Sequence, residues 1–215
     1  TMDDLTNEEI IILLDNAKKM LPAAKGDVYL PLLQGKVLAN MFFENSTRTR
    51  MSFETAMKRL GGEVLNLSSI GSSVAKGETL YDTMQMVDGY ADIAVIRHPN
   101  QGAAQYSADA VEIPILNGGD GAGNHPTQTM LDLFTIQEAH GSLEGLNVMM
   151  VGDLRYGRTT HSLSHALVRF GAKITLVSPE SLRMPDEIVS DLISHGGEIN
   201  ETEEMSLSID SADVI

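Results

Sequence analysis

The clearest indication of the fold class comes from residues 37–50, Val-Leu-Ala-Asn-Met-Phe-Phe-Glu-Asn-Ser-Thr-Arg-Thr-Arg. The apolar half, residues 37–43, predicts a buried strand, and the polar half leads into a helix predicted over residues 46–60. Gly61 and Gly62 are typical of a helix end. A buried strand followed at once by a helix is the unit from which parallel sheets are built.

The same alternation runs through the rest of the chain and predicts an α/β protein. Strands alternating with helices favour two doubly wound domains, each with a central parallel sheet flanked by helices. We place the first domain at residues 1–140, with 126–140 as a connecting helix, and the second at residues 141–215. A last strand predicted to begin at residue 212 has nothing after it, so we expect the second domain to be incomplete at its C-terminus. Further strands are predicted at 64–67, 93–96, 113–116, 148–151 and 174–177, and further helices from a capping box at 6–9 to about 21 and at 78–90, 103–110, 158–170 and 186–195.

Composition excludes several classes of protein. The 215 residues carry 15 Lys+Arg, 30 Asp+Glu, a formal net charge of -15 and no Cys. Disulfide scaffolds, thiolate zinc sites and Cys nucleophiles are therefore excluded. An acidic balance argues against nonspecific nucleic-acid binding, and no apolar run approaches the roughly 20 residues of a membrane span. We expect a cytoplasmic protein with neither nucleic-acid nor membrane partners.

The segment that follows the strand 37–43 is the first candidate site. Ser46, Thr47 and Thr49 supply hydroxyl donors at a predicted helix N-terminus, and Arg48 supplies a planar guanidinium suited to phosphate. In open α/β sheets, ligands bind beyond the carboxyl ends of the strands. The alternative is that Ser46 only caps the helix. Three hydroxyls and two arginines in five residues exceed capping needs, so we favour an anion site.

Two other segments place chemistry-bearing residues at predicted element ends. Arg97 follows the strand 93–96, where it could reach the same anion or be an ordinary surface side chain. His125 follows a Gly-rich loop predicted at 118–123 and precedes a helix, where an imidazole can donate a hydrogen bond to a carbonyl oxygen or only cap the helix. The glycine spacing does not fit a dinucleotide-binding fingerprint, because Asn124 stands where a small residue is needed.

Residues 152–159, Gly-Asp-Leu-Arg-Tyr-Gly-Arg-Thr, match the spacing of a phosphate-binding P-loop, but Arg158 stands where the Lys belongs. A nucleotide hydrolase therefore remains an alternative. His161 and His165 share one helix face, but no third ligand accompanies them, so we expect no metal site and no cofactor. The loop that carries Ser72 and Lys76 is by itself an ordinary exposed loop.

Taken together, five ordered segments resemble the aspartate/ornithine carbamoyltransferase family, and two of them resemble its aspartate branch. The Ser-Thr-Arg-Thr-Arg segment marks the whole family, whereas the loop with Lys76 and residues 152–158 are similar to the aspartate enzymes. The segments are 43–54, Lys76-Gly-Glu-Thr-Leu80, Arg97-His-Pro99, His125-Pro-Thr-Gln128 and 151–159.

The resemblance implies a carbamoyl phosphate domain, an aspartate domain and transfer of the carbamoyl group to the α-amino group of L-aspartate, in pyrimidine biosynthesis. It implies domain closure, a homotrimer and a regulatory chain in some assemblies. The roles implied are phosphate binding by Ser46, Thr47, Arg48 and Thr49; polarisation of the carbamoyl oxygen by Thr49, Arg97 and His125; contact with the carbamoyl amide by Gln128; entry into the neighbouring subunit's site by Ser72 and Lys76; and aspartate binding by Arg158 and Lys76.

Three alternatives stay open at the level of the sequence: an ornithine-type carbamoyltransferase, a P-loop-like hydrolase and a noncatalytic subunit that keeps the fold. Further aspartate-binding residues of the family lie beyond residue 215, so we expect residues 1–215 alone to be inactive. The segments contain no strong general base. We therefore expect the departing phosphate to take the proton of the amine.

Overall fold

In the computed structural model, which describes residues 1–68, 76–121, 125–207 and 209–215, the chain is an α/β protein with two parallel sheets. The strands are β1 (Val37–Phe42), β2 (Glu63–Ser68), β3 (Ile93–His98), β4 (Ile115–Asp120), β5 (Asn147–Val151), β6 (Lys173–Val177) and β7 (Glu198–Thr202). The helices are α1 (Asn7–Lys25), α2 (Thr47–Arg59), α3 (Leu80–Asp88), α4 (Ala103–Ala110), α5 (Pro126–His140), α6 (Arg158–Val168) and α7 (Asp186–Ser194). None of the helices in these described ranges is long and apolar enough to cross a bilayer.

The first sheet has the order β2-β1-β3-β4, and all its neighbours are parallel. Central strand β1 places Phe42 opposite Arg97 of β3 and Asn40 opposite Asn66 of β2. One face of the sheet packs Leu38, Phe42 and Val95 against Met57 of α2; the opposite face packs Ala39, Met41 and Ala94 against Met84 and Val87 of α3. Helices therefore cover both faces, as the alternating pattern predicts.

The second sheet has the order β5-β6-β7, again with parallel neighbours. Its core is a separate cluster that includes Leu133, Leu154, Leu167 and Ile174, together with Ile10 from the first helix. The capping box predicted at the start of α1 is present, because the Thr6 amide donates to Glu9 Oε2 (2.8 Å) and the Glu9 amide to Thr6 Oγ1 (3.2 Å).

By packing, the chain divides into two compact units. One comprises Thr1–Asp15 with His125–Ile215 and contains the second sheet; the other is Asn16–Asn124 and contains the first. Helix α5, which the sequence suggests as a connecting element, packs in the unit of the second sheet.

The structure differs from the sequence predictions at four places. Residues 118–120, predicted as part of a loop, belong to β4. Arg97, expected after its strand, lies within β3. Strand β7 was not predicted, and at residues 212–215 there is only an isolated bridge from Val214 to Val148 where a strand was expected to begin.

Candidate active site

The first turn of α2 follows the carboxyl end of β1, where the sequence predicts an anion site. Ser46 is the N-cap residue, with an extended backbone (φ -156°, ψ 102°), and its carbonyl accepts the Arg50 amide at 3.3 Å. The Ser46 side chain makes no capping hydrogen bond to the described part of α2, and the first turn holds no acidic residue. Thr47 and Arg48 are exposed. The turn therefore presents amides, hydroxyls and a guanidinium to an anion.

Arg97 lies at the same edge of the sheet and is buried, with 8% of its surface exposed. Its Nη1 donates to the Gly118 carbonyl at 3.2 Å, and its Nε lies 3.1 Å from Glu44 Oε2. These contacts join the ends of β1, β3 and β4 through one side chain. One hydrogen bond, to Gly118, and one ion pair, with Glu44, thus hold the guanidinium at this edge of the sheet.

His98, the next residue, is half-buried beside Phe43, and the two ring centroids are 5.3 Å apart. Burial lowers the pKa of His98, whose Nδ1 accepts a hydrogen bond from the Asn100 amide at 3.0 Å. Because Nδ1 accepts this bond, the proton of the neutral imidazole lies on Nε2.

His125 and Gln128 begin helix α5 in the unit that contains the second sheet. His125 is the N-cap residue and is buried, with 7% exposure, and its Nδ1 lies 3.4 Å from Thr127 Oγ1. Gln128 Nε2 donates to Asp132 Oδ1 at 2.9 Å, one helical turn further on. Burial raises the pKa of Asp132, and the bond from Gln128 partly opposes that shift. A carboxylate thus holds the Gln128 amide.

Arg158 is the first residue of helix α6. The loop before it is stabilised by hydrogen bonds from its own backbone to the Asp153 side chain. The Asp153 carboxylate accepts the amides of Arg155 (3.2 Å) and Tyr156 (3.0 Å) through Oδ1. At Gly157 an added Cβ would lie 2.6 Å from the Asp153 carbonyl oxygen, so only glycine fits. A P-loop needs such amides for phosphate, and here a carboxylate already occupies two of them. The arrangement therefore argues against a nucleotide hydrolase. Arg158 lies at a helix N-terminus, where the guanidinium and the helix dipole both favour a bound carboxylate.

Lys76 is exposed, and Ser72 lies outside the described residues. His161 Nε2 lies 2.7 Å from the Leu154 carbonyl oxygen, while His165 Nδ1 lies 3.5 Å from Asp191 Oδ2. Each imidazole thus has its own partner. No group of three metal-ligating side chains is found in the part of the chain that the structure describes.

The sequence predictions did not include three functional candidates: Glu44, Asp132 and Asp153. Glu44 directly follows a predicted strand, but its pairing with Arg97 depends on the register between two strands that are distant in sequence. Asp132 is four residues after Gln128, and helical spacing alone could have suggested that contact.

Comparison with known proteins agrees with these features. Residues 1–138 match the model of the aspartate/ornithine carbamoyltransferase carbamoyl-P binding domain, and residues 144–215 match that of the Asp/Orn binding domain. The chain is 52% identical over 217 residues to the aspartate carbamoyltransferase catalytic subunit of Methanosarcina barkeri, covering 100% of this chain and 70% of that protein.

Solved structures show the same relationship. The catalytic subunit of the Methanocaldococcus jannaschii aspartate transcarbamoylase superimposes with a TM-score of 0.94 at 48% identity, covering 100% of this chain and 71% of that one. The Trypanosoma cruzi aspartate transcarbamoylase, solved with carbamoyl aspartate and phosphate, gives 0.92 at 39% identity, covering 100% and 72%. The chain belongs to the aspartate/ornithine carbamoyltransferase family.

Proposed function

We propose that this protein catalyses transfer of the carbamoyl group from carbamoyl phosphate to the α-amino group of L-aspartate, giving N-carbamoyl-L-aspartate and phosphate. One observation carries the proposal: buried Arg97, fixed by Glu44 and Gly118, lies at the same sheet edge as the polar first turn of α2. A helix N-terminus suits the phosphate and a fixed guanidinium suits the carbonyl oxygen. Family membership and the names of the relatives support the same reaction.

The residues match roles in carbamoyl phosphate binding. The hydroxyls and amides of the first turn of α2 bind the phosphate, and cationic or neutral donors polarise the carbonyl. The assignments are Ser46, Thr47, Arg48 and Thr49 for phosphate; Thr49, Arg97 and His125 for the carbonyl oxygen; and Gln128, oriented by Asp132, for the carbamoyl amide.

The chemistry needs no covalent intermediate, because phosphate is a good leaving group. The α-amino nitrogen attacks the carbonyl carbon, the new C–N bond forms, and the bond from that carbon to the phosphate oxygen breaks. The negative charge that develops on the carbonyl oxygen is stabilised by Arg97 and the other donors. The departing phosphate accepts the amine proton, so none of the proposed site residues acts as general base.

Aspartate, rather than ornithine, suits the residues on the acceptor side. Arg158 at the positive end of α6 provides charge for a carboxylate, and exposed Lys76 supplies a second cation. Ornithine would present an ammonium group to these cations. We assign residues 1–140 to carbamoyl phosphate and 141–215 to aspartate, in line with family models that cover 1–138 and 144–215.

The proposed assembly is a cytoplasmic homotrimer, in which Ser72 and Lys76 enter the site of the neighbouring subunit; a regulatory chain would be a further partner. Mixing Lys76→Ala and Arg48→Ala chains tests the sharing. Hybrid trimers then contain some sites with neither substitution, so partial activity should return. Mixtures as inactive as either parent would contradict shared sites.

The substrate assignment is tested by titrating N-(phosphonacetyl)-L-aspartate, which carries both a phosphonate and a dicarboxylate, into the unsubstituted protein and into Arg48→Ala. We expect saturable binding that weakens by at least about tenfold in Arg48→Ala, because a charge-assisted contact is lost. Arg59→Ala, at the far end of α2, is the matched control and should bind normally. Equal binding by all three proteins would contradict the assignment.

A further inference from the structure

The phosphate-binding helix α2 is held to its sheet by few apolar contacts. Of the residues of α2, all of which the structure describes, Met57 alone is buried, and Phe53 is partly buried beside it. Both lie in the C-terminal two-thirds of the helix. The first turn, where the proposed phosphate ligands stand, therefore needs an anchor of another kind.

Asn40 supplies that anchor from the middle of β1. It is fully buried, on the face of the sheet that packs against α2. Its Nδ2 donates to the Arg50 carbonyl oxygen at 3.2 Å and to Asn66 Oδ1 at 3.0 Å. Arg50 closes the first turn of α2, because its amide bonds to the Ser46 carbonyl. One side-chain amide thus ties this turn to the central strand.

The polar contacts continue from Asn40 through Asn66 of β2 to the middle of the same helix. Asn66 stands opposite Asn40 in the register of β1 and β2, and its Nδ2 donates to Glu54 Oε2 at 3.1 Å. Glu54 Oε1 pairs with Lys58 Nζ at 2.7 Å, four residues further along α2. This polar chain, Asn40–Asn66–Glu54–Lys58, contacts α2 at its first turn and again in the middle.

Burying the Asn40 amide costs free energy, so packing alone does not explain why an asparagine occupies this position. Its Oδ1 is buried and has no hydrogen-bond partner within the described part of the chain. A buried acceptor without a partner is destabilising, and an apolar side chain could fill such a position without that cost. Departures from local consistency of this kind concentrate where function requires them.

We propose that Asn40 is a positioning residue for carbamoyl phosphate: its amide fixes the Arg50 carbonyl, and with it the first turn of α2, in the geometry that binds phosphate. The inference rests on the proposed function, in which the first turn of α2 binds the phosphate of carbamoyl phosphate. Asn40 is fully buried within β1 and acts through the helix. Its loss therefore weakens binding of carbamoyl phosphate more than it slows the chemical step.

The test compares the full-length enzyme with its Asn40→Leu and Met57→Ala variants, by KM for carbamoyl phosphate, kcat, Tm and hydrogen exchange at the Arg50 amide. We expect Asn40→Leu to raise KM about five- to tenfold, with a smaller change in kcat, and to speed exchange at Arg50. Met57→Ala, which removes an apolar contact of the same helix, should lower Tm with KM changed less than about threefold.

The outcomes separate the inference from the function on which it rests. An active Asn40→Leu enzyme with unchanged KM and unchanged Arg50 exchange would overturn the inference alone; so would a KM that rises in step with the loss of Tm in both variants. If Asn40→Leu does not fold, Asn40→Ser, which is too short to reach Arg50, gives the same comparison. No carbamoyl transfer by the unsubstituted enzyme would overturn the proposed function and the inference with it.

Discussion

Glu44 Oε2 lies 3.1 Å from Arg97 Nε, so the residue that follows strand β1 holds the buried guanidinium of strand β3. Strand register creates this pair, since Phe42 stands opposite Arg97. Glu44 is half-exposed, whereas the Arg97 side chain is only 9% exposed. The carboxylate therefore orients Arg97 and also opposes the approach of an anion to it.

The Glu44→Gln variant should bind inorganic phosphate more tightly than the unsubstituted protein. Removing the carboxylate removes a repulsion, and partly exposed charge pairs of this kind correspond to about a two- to fivefold change in Kd. Calorimetric titration of phosphate measures it. Glu63→Gln, at the opposite end of the sheet, is the control and should leave Kd unchanged. Weaker binding by Glu44→Gln would show that the carboxylate does not compete with the anion.

Arg97→Ala should lower kcat by about 10²–10³, the loss typical of one donor to a developing oxyanion. The same substitution frees the Gly118 carbonyl and leaves Glu44 without this cation. Steady-state kinetics with saturating carbamoyl phosphate and aspartate measures the change. Arg59→Ala, an exposed arginine at the end of α2, should retain the normal rate. A kcat within about threefold of normal in Arg97→Ala would remove this residue from the oxyanion role.

Gly157→Ala should distort the loop before Arg158 and raise the KM for aspartate. The new Cβ would lie 2.6 Å from the Asp153 carbonyl oxygen and 2.8 Å from Thr160 Oγ1. Overpacking of this kind typically costs about 1–3 kcal/mol of stability. Gly89→Ala is the matched control, because its added Cβ would meet only the Met86 carbonyl oxygen at 3.5 Å. Thermal denaturation and aspartate kinetics should give a lower Tm and a higher KM for aspartate in Gly157→Ala than in Gly89→Ala. Equal values in the two variants would contradict the close contact at Gly157.

Because of His98, the free energy of unfolding should decrease at acidic pH. Burial lowers the pKa of His98 in the folded state below the ordinary value of 6.5. The unfolded chain therefore binds a proton over a pH range in which the folded protein does not. The contribution of neutral His98 to the free energy of unfolding is fully present above pH 6.5. It decreases as the pH falls from that value towards the pKa of His98 in the folded protein.

The His98→Gln variant should thus lose less Tm between pH 7 and about pH 5 than the unsubstituted protein. Exposed His195→Gln serves as the control and should keep the acid sensitivity of the original. Identical pH profiles for all three proteins would indicate that burial does not perturb His98.

Sequence patterns located most elements, because caps and breakers mark their ends. Helix α5 spans Pro126–His140, the predicted range, and Gly141 has the left-handed conformation (φ 79°) expected of a C-cap glycine. Residues 118–120 were wrongly predicted as loop, because two of them are glycines, which are typical of loops. Gly118 instead permits close packing in β4, where an added Cβ would lie 3.1 Å from Val95 Cγ1.

Contacts that depend on tertiary structure could not be predicted in the same way. Strand β7 is polar and mostly exposed, with a pattern that gives no apolar signal beyond Ile199. The contact of Asn40 with Arg50 and Asn66 requires both the packing of α2 on the sheet and the strand register. The residue types at the candidate site were visible in the sequence, but their supporting partners were not.

Carbamoyl transfer to aspartate is tested most directly by an NMR assay of the full-length enzyme with ¹³C-labelled carbamoyl phosphate and ¹⁵N-labelled L-aspartate. We expect a product in which the labelled carbon is bonded to the labelled nitrogen, detected by their one-bond coupling, with release of one phosphate per product. Carbamoylation of ornithine with none of aspartate, or phosphate release without the new C–N bond, would contradict it.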